Sequence, residues 1–165
     1  MKIIDDFLSP SDFETTQAYF YDLYFPWYYN SGIAKHKQGL DQFQFTHNFI
    51  DISKPFIIPD HSPFLQPLLT KLNAKYIFRM KANLRPRTSQ GVLSEFHTDM
   101  KLNQQTAIFY LNTNNGYTLF KDSTLGKVDS VANRLLTFHG HLEHCGCSAT
   151  DCNNRIVLNI NYIPS

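Results

Sequence analysis

Alternation of apolar and polar side chains dominates the second half of the chain. Tyr76, Phe78, Met80, Ala82 and Leu84 alternate with Ile77, Arg79, Lys81 and Asn83, the period-two pattern of a half-buried strand. Further strands are predicted over 92–96, 106–111, 117–120, 134–138 and 156–163. Turn chemistry separates them: Asn112-Thr113-Asn114-Asn115-Gly116 suits a hairpin, and Gly126 and Gly140 mark other reversals. Short strands without intervening helices predict a jelly roll or barrel. The first half reads differently. Residues 2–8 form a short strand, and Ser9-Pro10-Ser11-Asp12 then combines an N-cap, a proline at the first helical position and an early carboxylate. Phe13, Ala18, Tyr19 and Leu23 continue at helical spacing until Pro26. Ser62-Pro63 opens a second helix through about Lys71, with Phe64, Leu65, Leu68 and Leu69 as its buried stripe. The predicted fold is mainly β with α, in a single domain: a jelly-roll core over 75–165 and a helical buttress over 1–74.

Composition narrows the function classes. With 165 residues and 15% aromatic content, the chain can bury a sizeable core. Fifteen Lys and Arg against 14 Asp and Glu give a net charge of +1, so the sequence has no global basic field and a nucleic-acid partner is not expected. No apolar run approaches the ~18 residues of a membrane helix. Met-Lys-Ile-Ile-Asp-Asp places two carboxylates where a signal peptide needs apolar residues. A cytoplasmic protein without membrane partners is the expectation. Cys145, Cys147 and Cys152 fit a reducing compartment and are read as free thiols, with a structural zinc site as the sharper alternative.

The strand region concentrates metal-binding side chains. His97 and Asp99 are two apart, so on an extended strand both point to one face and can share an ion. A third ligand must come from elsewhere, and His139, His141 and His144 are available. Two imidazoles and one carboxylate on one face of an ion leave the opposite positions open, the facial triad of non-heme Fe(II) oxygen chemistry. On the last strand Arg155, Val157, Asn159 and Asn161 share one face, while Ile156, Leu158, Ile160 and Tyr162 share the other. Inward Arg and Asn demand partners, so a polar cavity inside the sandwich is predicted.

From about Met80 to Tyr162 the sequence resembles the Fe(II)- and 2-oxoglutarate-dependent dioxygenases, in particular their prolyl-hydroxylase-like branch and its small stand-alone, phage-type members. Phe96-His97-Thr98-Asp99, Ile108-Phe109-Tyr110-Leu111-Asn112, Asn115-Gly116-Tyr117-Thr118-Leu119-Phe120, and His144 followed by Arg155 carry the likeness. The resemblance implies a cupin-like double-stranded β-helix, with His97, Asp99 and His144 as iron ligands. It implies 2-oxoglutarate as co-substrate, its distal carboxylate paired with Arg155 and supported by Tyr110. Asn83 and Asn159 are further cofactor-binding candidates. Hydroxylation of a C–H bond by O2 would follow, with succinate and CO2 as co-products. A protein or peptide substrate is implied, a prolyl residue among the choices, with a small molecule as the other class.

Two departures from the family pattern matter. The strand before His97 carries Asn83-Leu84-Arg85-Pro86 where many prolyl hydroxylases place a cofactor-holding tyrosine, so Asn83 or Arg85 must substitute, or nothing does. Arg155 lies eleven residues beyond His144, a long connection that leaves His139 and His141 as competing ligands. The row Arg79, Lys81, Arg85 and Arg87 reads as the solvated face of an edge strand, or alternatively as a surface for an acidic substrate. Residues 88–91 read as a loop at the mouth of the site. The competing functions are a jelly-roll zinc metallohydrolase and a non-catalytic metal-binding module.

Overall fold

The computed structural model describes residues 1–33, 43–53, 63–100 and 102–165. The chain opens with β1 (Lys2–Ile4) and α1 (Pro10–Tyr21), followed by β2 (Tyr28–Asn30) and β3 (Gln44–Asp51). A 3-10 turn (Pro63–Leu65) leads into α2 (Gln66–Leu72) and the long β4 (Ala74–Pro86). Then come β5 (Gln105–Tyr110), β6 (Tyr117–Phe120), β7 (Lys127–Asp129), β8 (Arg134–His139), β9 (His144–Gly146) and β10 (Asn154–Pro164). Seven strands form one antiparallel sheet in the order β1-β8-β5-β10-β4-β3-β2, and three form a second in the order β7-β6-β9. Crossing of strands between two facing sheets is the jelly-roll arrangement the sequence predicts.

Both faces of the large sheet are covered. Phe109, Leu135, Ile156, Leu158 and Ile160 pack with Phe20, Leu65, Leu68 and Leu72, which come from the helices and the turn before α2. Their strand neighbours Ile108, Tyr110, Leu136 and Val157 point the other way and meet Phe120 and Val128 of the small sheet. Helix α1 starts as expected, with Ser9 Oγ accepting from Asp12 N at 3.2 Å and Pro10 in its first turn. Asn73 ends α2 in the left-handed region, its N–H donating to the Leu69 and Thr70 carbonyls. Ser62, expected as the cap of this helix, lies outside the described residues.

Several expectations need correction. Leu23 lies beyond the end of α1 and is 87% exposed, because the chain leaves the helix at Asp22, four residues before Pro26. Phe64 is exposed, whereas Leu65 and Leu68 are buried. The N-terminal half is not only helical, since β1, β2 and β3 extend the large sheet. Strand β4 is no edge: it pairs with β10 on one side and β3 on the other. The segment 92–96 forms no strand of its own: isolated bridges pair Leu93 with Cys147, just past β9, and His97, just beyond the segment, with His144. Residues 88–91 form no helix or strand, and at their start Thr88 N donates to Ala149 O and Thr88 Oγ1 is bonded to Ser148 Oγ. No helix among the described residues is long and apolar enough to cross a membrane.

Candidate metal and anion site

The space between the sheets opens as a cavity of about 460 Å³. In its wall, His97 and His144 face each other across an antiparallel bridge, each backbone N–H donating to the other's carbonyl at 3.0 Å. His97 Nδ1 lies 2.9 Å from Glu95 O and His144 Nδ1 3.1 Å from Leu142 O. Only a protonated Nδ1 can donate to a carbonyl, so in the neutral rings both Nε2 atoms keep a free lone pair. Those atoms each stand 3.8 Å from an oxygen of Asp99, His97 from Oδ1 and His144 from Oδ2. The three ligand atoms lie within 4.8 Å of one another, near enough to share an ion. Among the described residues no other group of three or more His, Cys, Asp or Glu side chains is so arranged.

Asp99 is held from the large sheet. Its Oδ2 accepts from Asn159 Nδ2 at 3.0 Å and Asn161 Nδ2 at 3.3 Å, while Arg79 Nη1 lies 3.4 Å from Oδ1. Burial works to raise its pKa, but His144, Arg79, His97 and the Asn159 amide outweigh it and hold the carboxyl below its ordinary value. Burial pulls His144 below the usual imidazole range despite the attraction of Asp99. A neutral imidazole beside an ionised carboxylate is the protonation state that metal binding requires. Asn159 and Asn161 each have a buried Oδ1 without a hydrogen-bond partner.

Arg155 is buried in the same cavity wall. Its Nε donates to Ser130 Oγ at 2.8 Å and its Nη2 to Thr118 Oγ1 at 3.2 Å, both neutral hydroxyls. Among the described residues no carboxylate pairs with this guanidinium, and burial pulls it below its ordinary pKa. A buried cation without a counter-charge is costly, and a bound anion would remove that cost. Tyr110 is fully buried one layer behind; its hydroxyl donates to Thr118 Oγ1 at 2.8 Å, and the Arg155 Cζ lies 5.6 Å from its ring centre. Tyr110 therefore meets the cavity through Thr118 rather than on its wall.

The remaining candidates separate cleanly. Asn83 and Asn159 line the cavity, although Asn159 spends its amide on Asp99 and Asn83 Nδ2 reaches Lys81 O at 3.4 Å. His139 and His141 lie 2.9 Å from each other through their Nδ1 atoms at an exposed turn, away from the triad. The three cysteines are free, Cys145 and Cys147 being buried. Arg79, Lys81 and Arg85, read as a solvated face, line the cavity instead. Three residues contribute to the site without having been named as candidates: Thr118 and Ser130 as anchors, and Gly146 beside the arginines. Asn161, placed on the inward face of the last strand by its alternation, holds Asp99, and Thr118 lies on a predicted strand, buried between the half-buried Tyr117 and Leu119.

The donor set fits a divalent transition metal, with two imidazole nitrogens and one carboxylate on one side and open cavity on the other. Iron would be held by His97, Asp99 and His144, and a diacid by Arg155. No protein-family model matches the chain, and no curated protein matches it in sequence. Solved structures do match in fold. A prolyl-4-hydroxylase from Pseudomonas putida aligns with TM-score 0.67 at 14% identity, covering 99% of this chain and 92% of that one. The viral collagen prolyl hydroxylase of Paramecium Bursaria Chlorella virus-1, in its 2-oxoglutarate complex, aligns with TM-score 0.62 at 14% identity, over 97% and 93% of the two chains. The epimerase SnoN from nogalamycin biosynthesis, bound to Fe3+ and α-ketoglutarate, gives 0.69 at 12% identity, over 98% and 78%. At such identities the shared property is the fold, a jelly roll that this chain has in common with those prolyl hydroxylases and the epimerase.

Proposed function

We propose that the protein is an Fe(II)- and 2-oxoglutarate-dependent dioxygenase, with residues 1–165 acting as one catalytic unit that hydroxylates a C–H bond. The observation that carries this reading is the pairing of two features in one cavity. The converging triad of His97, Asp99 and His144 and the Arg155 guanidinium, with which no carboxylate of the described residues pairs, line the same space. A zinc hydrolase would use the triad and leave Arg155 without a task. When bound, iron and 2-oxoglutarate supply oxygen activation, with succinate and CO2 as co-products.

The chain's own residues prepare for that chemistry. The Glu95 and Leu142 carbonyls fix both imidazoles with Nε2 inward. Asn159 and Asn161 hold the Asp99 carboxylate, whose depressed pKa keeps it ionised at neutral pH. Arg155, steadied by Ser130 and Thr118, offers a planar cation matched to a carboxylate. His97, with a side chain 36% exposed, stands at the opening where a substrate chain would approach. The prolyl hydroxylases among the similar structures, one solved with a peptide fragment, favour a protein or peptide substrate, with proline the first residue to try.

The test is anaerobic titration of the protein with Fe(II) and 2-oxoglutarate, following the visible metal-to-ligand charge-transfer band. Wild type should show the band, His97→Ala should lose it, and Arg155→Ala should need far more 2-oxoglutarate to reach it. Asp99→Ala should form no succinate in air. Full succinate formation by that variant would refute the ligand assignment, and a wild type without the band would refute the function.

A further inference from the structure

A second arginine shares the anion end of the cavity. Arg85 comes from β4 and is 4% exposed. Its Nη1 donates to Gly146 O at 2.8 Å and its Nη2 to Val92 O at 3.1 Å. These contacts occupy two of a guanidinium's five N–H donors. Among the described residues the other three have no hydrogen-bond partner, and no carboxylate pairs with the group. Arg85 and Arg155 are cross-strand partners on β4 and β10, and both line the cavity.

Gly146 shows where the two converge. A Cβ added there would lie 3.5 Å from Arg155 Nη1 and 3.9 Å from Arg85 Nη1, with no other atom beyond its chain neighbours within 4 Å. The missing side chain leaves a notch bordered by two cations from different strands. Among the described residues their hydrogen-bond partners are neutral carbonyls and hydroxyls, so two like charges border the notch and no carboxylate pairs with either. Such an arrangement is stable when an anion enters the notch and unfavourable when the notch holds only water.

We propose that Arg85 and Arg155 together form a two-guanidinium seat for the terminal carboxylate of a diacid, with Arg85 a second binding residue that sets the preference for a diacid over a monoacid. The inference deepens the function proposed above and rests on it for the identity of the diacid as 2-oxoglutarate. The competing role for Arg85 is structural: tying the Val92 and Gly146 backbones together. Ligand selectivity separates the two roles. A structural defect weakens every ligand of the cavity, whereas a lost carboxylate contact weakens only ligands that carry the carboxylate.

The experiment measures binding by calorimetry without oxygen or turnover. Fe(II)-loaded wild type, Arg85→Gln and Gly146→Ala are titrated with 2-oxoglutarate and with 2-oxopentanoate, which has the same length but ends in a methyl group. Arg85→Gln should lower 2-oxoglutarate affinity about tenfold or more, as expected for loss of a charged hydrogen bond, while 2-oxopentanoate affinity changes less than twofold. Gly146→Ala keeps both cations, and its methyl makes only ordinary contacts. It should fold normally and weaken 2-oxoglutarate by filling the notch. Equal losses for both ligands in Arg85→Gln, or unchanged 2-oxoglutarate binding in both variants, would overturn the proposal. A parallel titration of metal-free protein with glutarate, followed by NMR, keeps the seat independent of iron. Glutarate shifts in wild type that vanish in Arg85→Gln support it even if iron binding fails, and no glutarate response in wild type overturns it.

Discussion

Replacing Gly116 with alanine tests how tightly the backbone is packed against the anion site. A Cβ there would lie 2.8 Å from each of three atoms: Arg155 Cδ, Asn114 Oδ1 and the Cys147 carbonyl oxygen. The arginine stem could yield, but it carries the guanidinium that Ser130 and Thr118 position. The carbonyl cannot yield cheaply, because the adjacent Cys147 N–H is bonded to Tyr117 O at 2.8 Å and Gly116 O accepts from Ser130 N at 3.1 Å. Overpacking of this kind costs about 1–3 kcal/mol. The reduced freedom of an unfolded alanine chain returns about 0.4–1 kcal/mol. A net loss of up to about 2.6 kcal/mol remains, equivalent to a fall of up to about 10 °C in Tm for a chain of this size. Thermal unfolding by circular dichroism measures the first consequence. Displacement of Arg155 is the second, and titration with 2-oxoglutarate should show roughly tenfold weaker binding, the scale of a disturbed charged hydrogen bond. A variant that melts at the wild-type temperature and binds 2-oxoglutarate normally would refute the close packing.

Two further outcomes test the buttress and the thiols. Phe109 is fully buried, with Phe7 and Phe13 each packed edge-on at 6.1 Å, so Phe109→Ala should cost about 3–5 kcal/mol in urea unfolding. A loss below about 1 kcal/mol would mean the N-terminal segment does not pack on the sheet as described. Burial, with the neighbouring Cys147, pushes the Cys145 thiol up to about 11. At pH 8 only about a thousandth of it is thiolate, and the thiolate is the reactive form. Iodoacetamide should leave Cys145 unmodified in the native protein and alkylate it in guanidinium chloride, as read by peptide mass spectrometry. Rapid native alkylation of Cys145 would contradict its enclosure.

The alternation along β4 was plain in the sequence, but its surroundings were not. A charged face on a period-two strand looks the same whether it meets solvent or an internal cavity. Only pairing to β3 and β10 decides, and that pairing joins residues far apart in the chain. Strand β3 escaped for the opposite reason. Gln44, Thr46 and His47 are buried among its apolar residues, so no clean period announces it. The last strand was legible on both faces: Ile156, Leu158 and Ile160 join the helix-side core, and Arg155 and Asn159 face the cavity. The sequence points to His144 with His139 and His141 as competitors; the fold places the His144 imidazole beside His97 and Asp99 through a bridge between segments far apart in the chain.

The way the triad is built shows why it needed two sheets. His97 and His144 use the same local device, an Nδ1 contact to the carbonyl two residues earlier, so each ring is oriented by its own segment. Their mutual backbone bonds then fix one segment against the other on the side of the small sheet. Asp99 follows His97 by two residues yet is secured by Asn159 and Asn161 on β10 of the large sheet. An ion held by all three would therefore join the two layers, and Arg155 on β10, anchored to Thr118 and Ser130, links the same layers at a second point. Ligands that bind only this joined arrangement stabilise it in proportion to their affinity. Filling the site would thus also stabilise the packing of one sheet on the other.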